Sequence, residues 1–310
     1  MIEEEVSRRR ASLKKLYLYI LVFWFIVVNF GGCVSKNDVQ DERIEKITIN
    51  SSILGKDMIS QVYLPENYDS NIKYPVLYFL PSNGGSSYTV INQFGIVETV
   101  DRMTRNNQIA PMIVVALGID NSFGINSGAE TREITRSLSL EDSDVRINEG
   151  MYEDYIIYEA IPYIDEHFST DASRNGRYIG GYSMGGFAAL YLAFNHPDMF
   201  SKVGGHSPSL FQEEYIAESD DTSWLKWIYP DEETRIKRDP VLLAEANDLS
   251  GLSVYLDTGE TDVNIDGCER LYEVLTDKQV EVEFNLFPGI HGFAYCKSHM
   301  EKYMLFYGGE

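Results

Sequence analysis

The sequence predicts an α/β domain with a mostly parallel central sheet and helices on both faces. Three observations carry this. From about residue 75 onward, short apolar runs of strand length alternate with longer helical stretches. Two of those runs, 76–80 and 112–117, are apolar throughout, as strands buried on both faces are. Gly181-Tyr182-Ser183-Met184-Gly185 then joins a strand pattern directly to a helical one.

The elements follow in order. Residues 44–50 and 58–64 read as strands, Ile47 and Ile49 alternating with polar neighbours in the first. Asn67 to Asn71 is a turn cluster. After the strand at 76–80 comes a helix over 93–106, then the strand at 112–117. Residues 119–150 are rich in Gly, Ser, Asn and charge, and read as a long functional or mobile loop. Residues 153–168 form an amphipathic helix with Ile157, Ala160, Ile161, Ile164 and Phe168 on one stripe, and Pro162 marks a kink or a break. Strand 178–181, helix 184–195 and strand 203–206 follow. Residues 207–240, with Trp224 and Trp227, read as an irregular cap. Strand 252–257, helix 268–276, strand 280–287 and a final helix after His291 complete the chain.

The first residues read as an address. Arg8, Arg9, Arg10, Lys14 and Lys15 form a basic head, and residues 16–30 are apolar except for Asn29. A run of that length suits a signal-peptide core better than a spanning helix. Gly31-Gly32-Cys33 resembles a bacterial-type lipobox, with Phe30 where leucine is usual. The reading is a lipoprotein signal peptide over 1–32, lipid attachment at Cys33, a polar tether over 33–43 and a catalytic domain over 44–310. An uncleaved N-terminal anchor is the alternative. Either one places the domain outside the cytoplasm, at the cell surface.

Composition excludes some classes. A 44% hydrophobic and 13% aromatic content supports a packed core rather than disorder. Net charge is −22, and removing residues 1–32, with five basic and three acidic side chains, takes off a two-charge excess to leave −24. Such a surface repels phosphate backbones, so nucleic acid is not an expected partner. Cys33, Cys268 and Cys296 form no CxxC pair, and no His/Cys cluster has zinc spacing, so no metal is expected. Cys268 and Cys296 are left either as a pair or as two thiols.

Within G-x-S-x-G, Ser183 sits where a strand turns sharply into a helix, with glycines two residues to either side for close chain approach. A serine hydroxyl needs a base. His167 and His196 read as structural, His206 as a residue able to line the site, and His299 as part of the last helix. His291, in Phe287-Pro288-Gly289-Ile290-His291-Gly292, occupies a loop between a strand and the final helix and is the candidate base. The orienting carboxylate comes from Asp257 or Asp262, which flank Thr258-Gly259-Glu260-Thr261. Asp262 is favoured because it can reach across the loop, while Asp257 would cap or brace the turn. The order Ser, Asp, His is that of the α/β-hydrolase fold. Two backbone donors for a developing oxyanion are expected from Met184 and from the loop Pro81-Ser82-Asn83-Gly84-Gly85, with Asn83 the candidate by position.

Longer segments now become informative: VYLPENYD, YPVLYFLP, YEDYIIYEAIPYIDEHF, GRYIGGYSMGGFAALYLAFNHPDMF, LDTGETD and FPGIH. Over roughly 44–307 the chain resembles the esterase family that takes in esterase D, feruloyl and acetyl-xylan esterases, enterochelin-type siderophore esterases and the antigen 85 mycolyltransferases. The resemblance implies Ser183 as nucleophile, Asp262 as acid and His291 as base. It also implies a serine esterase that needs no cofactor. Pro81-Ser82 stands where many relatives have His-Gly, which puts the geometry of that loop in question, and Cys296 stands where relatives often have tryptophan, which would reshape the pocket rim. An acyltransferase using the same three residues, or a surface binding protein that has lost the chemistry, are the competing readings. The expected substrate is an extracellular ester of acyl-polysaccharide or siderophore type, with specificity in 119–150 and 207–240.

Overall fold

Eight strands form one sheet in the order β1-β2-β4-β3-β7-β8-β9-β10. They are β1 (Ile44–Ser51), β2 (Lys56–Tyr63), β3 (Val76–Leu80), β4 (Ile113–Ala116), β7 (Arg177–Tyr182), β8 (Lys202–His206), β9 (Ser253–Gly259) and β10 (Glu281–Phe287). β5 (Arg132–Ser137) and β6 (Asp144–Glu149) pair separately. The computed structural model describes residues 41–137, 144–211 and 213–309. The expected signal peptide and Cys33 lie outside the described residues. Asp41 and Arg43, at the end of the expected tether, are tied to the domain, with the Arg43 guanidinium donating to Asp101 at 2.7 and 2.8 Å.

β1 and β2 are an antiparallel hairpin, and β2 runs antiparallel to β4. Every other pairing in the large sheet is parallel. The continuous apolar runs are explained by two cores. Along β3, Val76, Tyr78 and Leu80 face one core and Leu77 and Phe79 the other, so neither side tolerates a polar residue. The first face is covered by a helical run over 152–167 (α3), by α4 (Met184–Asn195), α8 (Pro240–Ala246) and α9 (Ile265–Asp277). The second is covered by α1 (Ser87–Asn92), α2 (Ile96–Arg105) and α10 (Phe293–Gly308).

Several expectations are refined. The helix expected over 93–106 is α2, which starts at Ile96 after Gly95, whose φ of +73° is left-handed; α1, over Ser87–Asn92, precedes it and was not expected. α3 is not interrupted at Pro162. Its turns widen to π geometry over Tyr155–Ala160 immediately before the proline, where the missing N–H leaves the ladder short. The expected loop at 119–150 contains the β5–β6 hairpin, and the expected irregular cap contains α5 (Glu213–Glu218), α6 (Trp224–Ile228) and α7 (Glu232–Arg238) and ends where α8 begins. Hairpin and cap pack on each other: Trp227 Nε1 donates to Glu149 Oε1 at 3.0 Å, and Ser137 bridges to Ser223.

Cys268 and Cys296 are free thiols, each completely buried, in cores on opposite faces of the sheet. Pairing is thereby ruled out geometrically. Cys296 also lies in the core rather than at a pocket rim.

Candidate active site

Parallel pairing brings the carboxyl ends of β3, β7, β8, β9 and β10 to one edge, with Leu80 opposite Gly181, Tyr182 opposite His206, His206 opposite Asp257 and Phe287 opposite Gly259. The loops that leave these ends carry the predicted residues.

Ser183 lies between β7 and α4 with φ +58° and ψ −116°, the strained geometry expected of such a turn. Its amide donates to the His206 carbonyl at 3.0 Å, and its carbonyl accepts from Phe187 and Ser209 at 3.0 and 3.1 Å. A Cβ on Gly185 would stand 2.2 Å from the Leu80 carbonyl oxygen, and one on Gly181 would stand 2.4 Å from the Gly185 carbonyl carbon. Both flanking glycines are required by close backbone approach, as their spacing implied.

His291 follows β10. Its loop is fastened to the loop after β9, because the Thr261 hydroxyl donates to the Gly289 carbonyl at 3.0 Å and the Glu260 amide to Phe287 at 2.9 Å. Ser183 Oγ and His291 Nε2 are 2.8 Å apart, and His291 Nδ1 and Asp262 Oδ2 are 2.9 Å apart. The structure therefore brings Ser183, His291 and Asp262 into one hydrogen-bonded line. Asp262 is 4% exposed. Burial alone would raise its carboxyl, but the His291 ring, the Ser207 hydroxyl and the Asn264 amide outweigh that and hold it below the usual carboxylate value.

Asp257 takes no part in this line and does not brace the turn as expected. Its Oδ1 meets His206 Nδ1 at 3.1 Å, and its Oδ2 accepts from the Tyr295 and Tyr303 hydroxyls at 2.7 and 3.0 Å. His206 likewise does not line the site. Its ring is fully buried, stacked on Tyr303 with centroids 3.6 Å apart, and its Nε2 lies 2.9 Å from the Tyr307 hydroxyl. Burial holds this ring below the usual histidine value, with Asp257 offsetting only part of the shift. Of the other histidines, His167 stacks on Tyr163, His196 pairs with Glu153, and His299 bonds the Tyr295 carbonyl within its helix.

The loop after β3 lies against the start of α4, since a Cβ on Gly185 would also fall 2.6 Å from the Pro81 carbonyl oxygen. Within that loop the Gly84 amide is taken by Asn121 Oδ1 at 2.7 Å, and the Gly85 amide by Ser82 at 2.8 Å. Among the described residues, the Asn83 and Met184 amides donate to no group. Met184 begins α4, where helical geometry leaves the first N–H groups unpaired. Beyond the loop, a groove of about 370 Å³ is lined by Ser86, Tyr88, Ile59, Gln61 and Asp120.

Three residues that sequence reasoning did not single out also meet here. The Tyr182 hydroxyl accepts from the Gly292 amide at 2.7 Å and donates to the Gly292 carbonyl at 3.1 Å, and its ring lies beside His291 with centroids 5.1 Å apart. Ser209 Oγ is 3.3 Å from Ser183 Oγ. Ser207 touches both Asp262 and His291. Aromatic rings of the loop between β4 and β5 and of the cap gather at Phe187, one turn into α4 from Ser183: Phe123 packs on Phe187 and on Trp224, each at 5.4 Å, and Phe211 on Trp224 at 5.0 Å.

The family model described as "Putative esterase" matches residues 51–306. An endo-1,4-beta-xylanase/feruloyl esterase of Xylanibacter ruminicola is 30% identical over 203 residues, which is 63% of this chain and 25% of that protein. The chain thus spans a quarter of that relative's length. Among solved structures, a ferulic acid esterase superposes with TM-score 0.69 at 20% identity, covering 86% of this chain and 97% of that one. A fluorophosphonate-binding serine hydrolase F of Staphylococcus aureus superposes with TM-score 0.67 at 20% identity, covering 86% and 98%. At these identities the two structures establish the α/β-hydrolase fold. With the family model spanning nearly all of the folded domain, the chain belongs to the family described as putative esterases.

Proposed function

We propose that this chain is a serine esterase working through an acyl-enzyme, with Ser183 as nucleophile, His291 as base and then acid, and Asp262 as the carboxylate that orients the ring. The observation that carries the reading is the unbroken line of 2.8 and 2.9 Å contacts from Ser183 through His291 to buried Asp262. Ser183 Oγ attacks the ester carbonyl carbon while its proton passes to His291 Nε2. The tetrahedral oxyanion is met by the Met184 and Asn83 backbone N–H groups. Collapse breaks the carbon–oxygen bond, and the proton on Nε2 goes to the leaving alcohol. Water then takes the place of the alcohol, gives its proton to His291, and releases the acid as Ser183 recovers its own. Asp262 stays ionised throughout and stabilises the imidazolium.

The proposed substrates are extracellular esters, an acyl group on a polysaccharide or a siderophore ester. The feruloyl esterase named among the relatives supports the first. The formal net charge of −22 for the whole sequence favours a neutral or cationic alcohol portion over a phosphorylated one. Placement at the cell surface through a lipid on Cys33 belongs to the same proposal.

A fluorophosphonate probe tests the reading, with peptide mapping of the adduct. Labelling on Ser183, absent in Ser183→Ala, is expected. Folded protein that takes up no probe contradicts it and favours a binding role. Product analysis with excess acceptor alcohol would reveal a transferase by its new ester.

A further inference from the structure

Ser207 stands immediately beyond β8, fully buried, with φ +43°. That is a left-handed backbone in which a side chain other than glycine or asparagine is strained by about 1 kcal/mol or more. A turn alone would be served better by glycine, so the side chain must return something. Its hydroxyl donates to Asp262 Oδ2 and lies 2.9 Å from His291 Nδ1. It has a single proton, and that proton goes to the carboxylate. The oxygen then turns a lone pair toward the Nδ1–H, which is also 2.9 Å from Asp262 Oδ2. The imidazole N–H therefore lies between two acceptors, and Asp262 is itself held by three donors: His291, Ser207 and the Asn264 amide at 2.9 Å. The ring cannot swing away from Asp262 without leaving both oxygens.

The backbone that carries Ser207 is clamped on each side. Its own amide donates to the Asp257 carbonyl at 2.8 Å, and the preceding carbonyl, of His206, accepts from the Ser183 amide. The His206 ring is pinned between the Asp257 carboxylate and the Tyr307 hydroxyl. The buried His206–Asp257–tyrosine group thus makes the tip of β8 a rigid mount, and the mount delivers one hydroxyl to the catalytic line.

We infer that Ser207 is a positioning residue of this esterase, a fourth member of the line that holds Asp262 and His291 in register for proton transfer at Ser183. The inference rests on the hydrolase reading above. It is tested with Ser207→Gly, which removes the hydroxyl and relieves the backbone, made alone and together with Asp262→Asn. Steady-state hydrolysis of p-nitrophenyl acetate gives kcat and KM, and thermal melting checks the fold. The expected result for Ser207→Gly is a loss in kcat of roughly tenfold, the rate equivalent of one hydrogen bond to a charged group, with KM unchanged. Because the hydroxyl acts through the carboxylate, the same change should have almost no further effect in Asp262→Asn. A Ser207→Gly enzyme with wild-type kcat, a loss confined to KM, or an equal loss in the Asp262→Asn background overturns the assignment. Should the glycine variant not fold, Ser207→Cys, which keeps a weak donor, is read in the same way. A wild-type protein that hydrolyses nothing removes the esterase reading and this inference together, whereas an active wild type with an unimpaired Ser207→Gly removes this inference alone.

Discussion

Replacing Asp262 by asparagine changes one atom at the far end of the line from Ser183. At present Oδ2 accepts from His291 Nδ1 and from Ser207, and Oδ1 accepts from the Asn264 amide. A carboxamide flipped either way sets its NH₂ against one of these donors. With the NH₂ toward His291, the ring escapes by carrying its proton on Nε2, and that nitrogen can no longer accept from Ser183. In a serine–histidine–carboxylate site this tautomer error lowers kcat by roughly 10⁴, equivalent to about 5 kcal/mol of barrier. Asp257→Asn is the matched control, since Asp257 is as deeply buried but faces His206, Tyr295 and Tyr303. There the expected loss is about 1–3 kcal/mol of stability from a mismatched buried group, with kcat held within about tenfold. Kinetics on p-nitrophenyl acetate and thermal melting of both variants separate the two carboxylates. Equal kinetic losses, or an Asp262→Asn enzyme retaining more than about a tenth of kcat, would refute the reasoning.

Other consequences can be tested in parallel. Gly185→Ala drives a Cβ to 2.2 Å from the Leu80 carbonyl oxygen; it should destabilise the protein by about 1–3 kcal/mol or more and displace the loop bearing Asn83, so that activity falls well beyond the loss of folded protein. Burial alone would raise the Asp101 carboxyl, but Arg43 and Tyr63 hold it below its usual value. Its stabilisation is therefore complete above the unfolded carboxylate pKa of about 3.9 and is lost as pH falls through the lower folded value. Melting temperatures from pH 6 to 3 should drop less steeply for Asp101→Asn than for wild type, and parallel curves would contradict this. Cys268 and Cys296 are fully buried, and burial pushes both thiols well above their usual value. Neither should react with a thiol-specific disulfide reagent until the protein unfolds, whereas reaction in the folded state, checked by peptide mapping, would place a cysteine at the surface.

Much of the framework was legible because its causes are local. β3 and β4 are buried on both faces, so their residues are apolar without a break, and Gly181 is dictated by contact with the Gly185 backbone within the turn itself, whereas Gly185 is dictated by the Leu80 carbonyl at the end of β3. Helix α4 is buried almost all round and reads as apolar throughout. The β5–β6 hairpin was not legible, because Arg132–Ser137 and Asp144–Glu149 are mostly polar and mostly exposed or half-buried, and they are held by each other and by the cap. The short cap helices do carry local sequence signals. Ser223, Asp231 and Asp239 each accept from a first-turn amide as N-caps, and Pro240 follows the last of them. The position of Asp262 in its loop favours it over Asp257 from sequence, but what Asp257 does instead depends on tyrosines far along the chain in α10 and is not legible there. Ser207 carries no local pattern at all, since its partners are 55 and 84 residues away in sequence.

The most direct test of the central claim is hydrolysis of p-nitrophenyl acetate and butyrate by the wild-type protein beside Ser183→Ala and His291→Ala. Wild type should turn over steadily, and kcat should fall by more than about 10³ in both variants. A folded wild type no more active than the two variants would contradict it.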